Sequence, residues 1–257
     1  MSLKICSIAS GSSGNCVYVA SDNTHILIDA GASTANTLKS LRVLGASGAR
    51  LNVLITHTHS DHISGLGALV KATNANVFVH EKADKLKLKG ISYREFGDND
   101  FSIGNINVSA FILPHDSPNV GFSLKSGSGG ISFLTDLGAF DDSLLDKIKE
   151  SDILYIESNH DENMLQKCSY PYFLKRRILS REGHLSNSSA AKAILKALNE
   201  GYTRQIILGH LSKESNTPEL AYKATCDYLT TAGAVLNRDY SLDVAPRSGL
   251  GGLYEVK

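Results

Sequence analysis

Short apolar runs dominate the first third of the chain. Residues 3–10, 15–20 and 25–30, the last reading HILIDA, are β-rich and separated by turn residues, which predicts an antiparallel start. Apolar positions at helical spacing follow over 34–44, and LNVLIT at 51–56 is a nearly continuous apolar run of the kind that forms a buried strand. A helix is expected through 62–73, then a strand at NVFVH (76–80) and a strand-rich middle of INVSAFIL, VGFSLKS and GISFLTD. From 141 onward helices and strands alternate: helix 141–150, strand DILYIES, helices 171–180 and 186–199, strand QIILGH, and a helix over 218–231. Thr217 caps that last helix and Pro218 takes its first position. Sheets with helices outside them follow from this order.

Two glycine-rich stretches do not change that picture. SGSSGN, between the first two strands, lacks the G-x-x-x-x-G-K-[ST] pattern and no helix follows it, so it reads as a hairpin turn. SGSGG at 126–130 is short enough for another. With no linker, low-complexity tract or long repeat, residues 1–257 are expected to form a single domain.

Composition narrows the class without naming a function. The chain is 42% hydrophobic and 20% charged, and no stretch approaches the roughly 18 consecutive apolar residues of a membrane span, so no membrane partner is expected. The N-terminus MSLKICSIAS has one lysine and too short an apolar run for a secretory signal, which makes the cytoplasm the expected compartment. Cys6, Cys16, Cys168 and Cys226 show no C-x-x-C spacing and receive no chemistry. With 26 Lys+Arg against 26 Asp+Glu, any case for a polyanionic partner must be local.

The chemistry concentrates in THTHSDHISG, residues 56–65, where the buried strand ends. In H-x-H-x-D-H, His57 and His59 point to one side of an extended chain, while Asp61 and His62 at the turn can face a second point nearby. Imidazole and carboxylate suit Zn²⁺, Mn²⁺ or iron, and two such ions about 3.5–4 Å apart can share a hydroxide. A histidine-rich surface turn is the alternative, and a cluster of this density at the end of a buried strand argues against it. One segment cannot fill two coordination spheres, so further ligands should end other strands. His115 in ILPHDS, Asp136 in ISFLTDLG and His210 in IILGHLS each terminate an apolar run. Singly each would read as a cap or solvated turn; with the first motif they become ligand candidates.

Asp29, the His57/His59/Asp61/His62 motif, His115, Asp136 and His210 resemble, in this order, the motifs of the metallo-β-lactamase superfamily over almost the whole chain. The resemblance implies an α/β fold: a four-layer αβ/βα sandwich with two mixed β-sheets and helices on the outer faces. It assigns His57, His59 and His115 to one metal, Asp61, His62 and His210 to the other, and Asp136 as a bridge, with Asp29 fixing the histidine loop. Two divalent ions are therefore expected, Zn²⁺ or Mn²⁺ first and Ni²⁺ or iron as further options.

Glu157 in LYIESNHDENML and His184 in KRRILSREGHLSN stand outside that set. A Glu–His pair beside a dinuclear centre suits a general acid, because the carboxylate keeps the imidazole protonated until it gives its proton to a leaving alkoxide. Lys175, Arg176, Arg177 and Arg181 precede His184 and are candidates for phosphate contacts, a solvated helix face being the alternative. SGSSGN, ESNHD, YPYFLKRRILSREGHLSN and LGHLSKESNTPELA resemble the YycJ-like (WalJ-like) branch, metal-dependent exonucleases of double-stranded DNA. In the similar ribonuclease Z-like enzymes the first hairpin loop borders the metal edge, which implies substrate contacts from Ser12, Ser13 and Asn15.

The expectation is thus a dinuclear-metal phosphodiesterase with DNA favoured over RNA, digesting duplex ends 5′-to-3′. Asp61 would orient a metal-bound hydroxide, and His184 with Glu157 would protonate the leaving oxygen. A small-molecule hydrolase of the same fold, a cyclic phosphodiesterase or a glyoxalase II-like thioesterase or lactonase, is the competing reading.

Overall fold

β-Branched and leucine-rich runs become strands wherever both of their faces can be covered. The computed structural model describes residues 2–201 and 203–256. The chain begins β1 (Leu3–Ala9), β2 (Cys16–Ser21), β3 (Thr24–Ile28), α1 (Thr34–Val43), β4 (Leu51–Ile55), α2 (Ser60–Ile63), α3 (Leu66–Thr73) and β5 (Asn76–His80). It continues through β6 (Arg94–Phe96), β7 (Phe101–Ile103), β8 (Ile106–Leu113), β9 (Asn119–Ser126), β10 (Gly129–Leu134), α4 (Leu145–Ile148) and β11 (Ile153–Glu157). α5 (Glu162–Lys167), α6 (Tyr172–Ile178), α7 (Asn187–Asn199), β12 (Gln205–Gly209), α8 (Pro218–Thr231), β13 (Ser241–Val244) and β14 (Leu253–Val256) complete it.

Contacts divide the chain into two compact units. The first comprises Met1–Ile112, Ser117–Gly129 and Ala245–Lys257. Its sheet runs β14-β1-β2-β3-β4-β5-β6, antiparallel from β14 to β3 and parallel from β3 to β6. Ile28 pairs with Leu54, so β3 and β4 end side by side. Under the sheet, Leu41 of α1 and Leu66 and Leu69 of α3 join Cys6, Ile8, Leu27, Val53, Ile55 and Val77 in one buried cluster. β7 and β8 form an antiparallel pair in the same unit.

The second unit comprises Leu113–Asp116 and Gly130–Val244. Its strands β10, β11, β12 and β13 are parallel throughout. β10 and β11 are buried along their whole length, as strands covered on both faces must be. α7 buries Ala190, Ala191, Ala193, Ile194 and Ala197, and α8 buries Ala221, Thr225 and Leu229. Ser186 caps α7 and Thr217 caps α8 through their side-chain oxygens, with Pro218 in the first turn as the sequence indicates.

Two helices differ from expectation. The helix expected over 62–73 is broken into α2 and α3, because the Gly65 N–H donates to the Ala30 carbonyl at 2.8 Å. The approach leaves no room for a side chain: a Cβ on Gly65 would lie 2.2 Å from the Ala32 oxygen. The helix expected over 141–150 is a 3₁₀ turn, Asp142–Leu144, followed by the short α4.

Candidate metal centre

Within the first unit, the ends of β3 and β4 carry Asp29 and the histidine motif. Asp29 has φ 62°, an uncommon backbone for a residue other than glycine, and it turns a wholly buried carboxylate back toward the end of β4. Its oxygens accept the Thr56 N–H at 2.9 Å, the Thr56 hydroxyl at 2.8 Å and the His62 Nδ1–H at 2.7 Å. Burial pushes the Asp29 carboxyl above its usual range, against the opposing pull of His62 and Thr56. The His57 Nδ1–H lies 3.1 Å from the Thr56 hydroxyl. Both imidazoles are thereby held at Nδ1, which makes Nε2 the candidate coordinating nitrogen of each. The His57 ring centroid is 4.6 Å from that of His59 and 4.1 Å from that of His62, and Asp61 Oδ2 is 3.4 Å from His62 Nε2.

The first hairpin loop is laced to this motif by its backbone. Asn15 N–H donates to the Asp61 carbonyl at 2.7 Å, Gly31 N–H to the Asn15 carbonyl and Ala30 N–H to the His62 carbonyl, each at 2.8 Å. A Cβ on Gly31 would fall 1.6 Å from the Asp61 oxygen, so only glycine permits the crossing. Asn15 is buried, and its amide donates to Asp61 Oδ2 and toward His62 Nε2; Ser12 and Ser13 are exposed.

Within the second unit, three neighbouring parallel strands end together. Leu134 pairs with Ile156 and Glu157 with Gly209, which brings Asp136, Glu157 and His210 to one edge. Asp136 and His210 repeat the left-handed backbone of Asp29, with φ 61° and 55°. Asp136, Glu157, His184 and His210 each offer a ligand atom within 4.8 Å of the others. Glu157 Oε2 accepts from His184 Nδ1 at 3.1 Å and from His210 Nδ1 at 3.2 Å. Its Oε1 accepts the N–H groups of Leu137 and Leu185, each at 2.9 Å. Burial alone would raise the Glu157 carboxyl, but the charge of His184 and the bonds from both histidines bring it down to about 2. The His184 side chain keeps 14% of its surface exposed against 2% for His210 and 3% for Asp136, so it is the member an incoming molecule can reach.

His115 donates from Nδ1 to the Gly183 carbonyl at 3.3 Å, and its Nε2 lies 4.0 Å from Asp136 Oδ1. Burial lowers the His115 imidazole pKa, opposed by Asp136, which favours the neutral ring that binds metal. Nitrogen and oxygen donors with this tautomer control fit divalent transition metals, and the His, Asp and Glu clusters are consistent with a dinuclear metal site.

The basic cluster is less free than the sequence suggests. Lys175 Nζ donates to the Gln166 and Cys168 carbonyls, Arg177 pairs with Asp116, and Arg181 pairs with Asp141. Arg176 instead lies over the Tyr172 ring, its guanidinium carbon 6.0 Å from the centroid.

Several positioning residues carry no sequence signal of their own. Thr56 links Asp29 to the histidines, and Asp116 Oδ1 lies 3.2 Å from His115 Nε2. Asn159 joins two loops, its N–H donating to the Leu185 carbonyl and its side-chain amide to the His210 carbonyl, both at 3.0 Å. Adjacency to a candidate ligand was the available hint for Thr56 and Asp116; for Asn159 it was membership of the ESNHD stretch. His160 bridges to Ser186 through its backbone, and burial lowers its imidazole to about 4, so it stays neutral.

This architecture, two mixed β-sheets flanked by helices in an αβ/βα sandwich with histidines and aspartates at strand ends, has a known counterpart. Residues 24–211 match the beta-lactamase superfamily domain, and the chain belongs to that superfamily, with the metallo-β-lactamase fold. It is 34% identical over 253 residues to exodeoxyribonuclease WalJ of Streptococcus pneumoniae, covering 93% of each chain. It is 35% identical over 246 residues to exodeoxyribonuclease YycJ of Bacillus anthracis, covering 91% of each. The crystal structure of the metallo-beta-lactamase fold protein YhfI from Bacillus subtilis superposes over 100% of both chains, with a TM-score of 0.75 at 16% identity. The ligand clusters on this fold support a dinuclear-metal hydrolase.

Proposed function

We propose that this protein is a phosphodiesterase of the YycJ-like branch that removes nucleotides from the ends of double-stranded DNA, 5′-to-3′. The observation that carries the reading is Glu157, whose single oxygen Oε2 holds both His184 and His210. His210, fixed at Nδ1, would offer Nε2 to a metal; His184, held by the same carboxylate but partly exposed, would serve proton transfer. An alkoxide leaving from phosphorus needs that proton, whereas a thiolate leaves without one. Two relatives with more than nine tenths of their length aligned are named exodeoxyribonucleases, which supports DNA as the substrate.

Two divalent ions, Zn²⁺ or Mn²⁺, held by His57, His59, Asp61, His62, His115, Asp136 and His210 as the family's motif order assigns them, would supply Lewis acidity and a water whose pKa falls to about 7. Asp61 would orient that water. His184, oriented by its Nδ1 contact with Glu157, would pass a proton from Nε2 to the departing oxygen. Ser12 and Ser13, exposed on the first hairpin loop, offer hydroxyls to a neighbouring phosphate.

The test is a substrate panel with Mn²⁺- or Zn²⁺-loaded protein: end-labelled duplex DNA, single-stranded DNA, RNA, a cyclic nucleotide, a lactone and a glutathione thioester. Release of nucleotides from duplex ends is the expected outcome. Activity confined to the thioester or lactone would remove the nuclease reading in favour of a small-molecule hydrolase.

A further inference from the structure

α6 presents an unusual surface just before the turn that carries His184. Tyr172 is 76% exposed, Phe173 74% and Leu179 55%. Residues four and seven apart share a helix face, so Tyr172, Arg176 and Leu179 form one outward stripe with Phe173 beside it. Two large aromatic rings this exposed on a short helix lose hydrophobic stabilisation unless something covers them.

The other side of α6 is fastened. Ile178 is buried, Lys175 is held by two main-chain carbonyls, and Arg177 reaches Asp116, the neighbour of His115. The Ile178 carbonyl accepts the His184 N–H at 3.0 Å, and the Asp116 N–H donates to the Glu182 carbonyl at 3.1 Å. The stripe and His184 are therefore joined within one hydrogen-bonded segment. Of the four cations near His184, Arg176 is the one the described residues leave without an acidic or carbonyl partner, and it sits against the Tyr172 ring.

We propose that Tyr172, Phe173 and Arg176 form a stacking platform for unpaired bases of a nucleic-acid strand, an assignment that rests on the nuclease reading. Aromatic faces take any base, and an adjacent guanidinium serves both the π-face and the phosphate that follows it. The cation mixed into the stripe, and its continuity with the segment holding His184, favour a nucleic-acid strand over an apolar protein surface. A platform of this kind holds a frayed or overhanging end beside the general acid, so the enzyme should bind ends with unpaired nucleotides more tightly than blunt ones.

The experiment uses metal-loaded protein and a phosphorothioate-linked duplex that resists cleavage, with 2-aminopurine in a short overhang, and reads fluorescence quenching as the base stacks. The wild type should quench and bind. Tyr172→Ala/Phe173→Ala should lose the quenching and raise Kd roughly tenfold or more, given the stacking energy expected per base. Tyr172→Trp should restore both, and thermal midpoints should match because the changed side chains are exposed. Each single alanine variant should give part of the loss, which keeps the test readable if the double variant folds poorly. Equal quenching and a Kd within twofold of the wild type would overturn the platform while leaving the nuclease reading intact. Self-association of the wild type that the double variant abolishes, with DNA affinity unchanged, would assign the stripe to a second copy and overturn it too. A wild type that cleaves no nucleic acid would remove the nuclease reading and the platform with it.

Discussion

Glu157 lies at the end of β11 with no exposed surface, faces two imidazoles and accepts three backbone N–H groups. On the proposed reading, that arrangement separates proton transfer by His184 from metal ligation by His210 at one carboxylate. His184→Ala should therefore keep its full complement of metal while losing roughly 10²–10⁴-fold in turnover of DNA. On a p-nitrophenyl phosphodiester, whose leaving group departs unprotonated, the loss should be much smaller. Metal analysis and the two rates check this; loss of metal from the variant would make His184 a ligand and undo the assignment. At this scale the sequence was informative where residue type carries chemistry. H-x-H-x-D-H, His115, Asp136, Glu157 and His210 were legible as polar residues ending apolar runs, and His184 as a histidine paired in chemistry with Glu157. Thr56 and Asn159 were not, because a threonine or an asparagine signals nothing until its hydrogen bonds are seen. The left-handed backbones of Asp29, Asp136 and His210 were equally hidden. Each places a buried polar side chain at a strand end in a strained conformation, as functional sites often do.

Among the elements, parallel pairing converts sequence-distant residues into neighbours: β10, β11 and β12 end in register and deliver Asp136, Glu157 and His210 together. Glu157 also fixes the loops after β10 and before α7 through Leu137 and Leu185, so its ionisation supports those elements as well as the chemistry. Its carboxyl is depressed from 4.5 to about 2 in the folded chain. A depressed carboxylate stabilises above its unfolded pKa, and that contribution disappears as pH falls through the folded value. For metal-free protein, the stability difference between wild type and Glu157→Gln should be on the order of a few kcal/mol at neutral pH and should shrink steadily between about pH 4.5 and 2. Chemical denaturation at a series of pH values measures it; a difference independent of pH would contradict the role. Long elements such as α7 and α8 were legible from period and capping, whereas β6 and β7, three residues each, carry too little pattern to read. The break between α2 and α3 was invisible because it depends on the close approach of Gly65 to Ala30 and Ala32.

For the molecule as a whole, 26 basic and 26 acidic residues cancel, so long-range attraction of a polyanion is weak and recognition must be local. Most of the basic cluster beside His184 is tied to acids or carbonyls, so on the proposed reading DNA recognition would fall to phosphates at the metal centre and to bases at the exposed aromatics. No helix among the described residues is long and apolar enough to cross a membrane. The strand-helix order showed sheets with helices outside them, and the sandwich itself was legible through the resemblance of the ligand motifs to the superfamily that the chain belongs to. The substrate was not, since the same fold serves many reactions. The proposed end-directed hydrolysis of duplex DNA can be checked by comparing linear with covalently closed circular duplex under Mn²⁺ or Zn²⁺. The linear form should be degraded progressively to nucleotides while the closed circle stays intact. Nicking of the circle at a comparable rate, or no attack on either form, would contradict it.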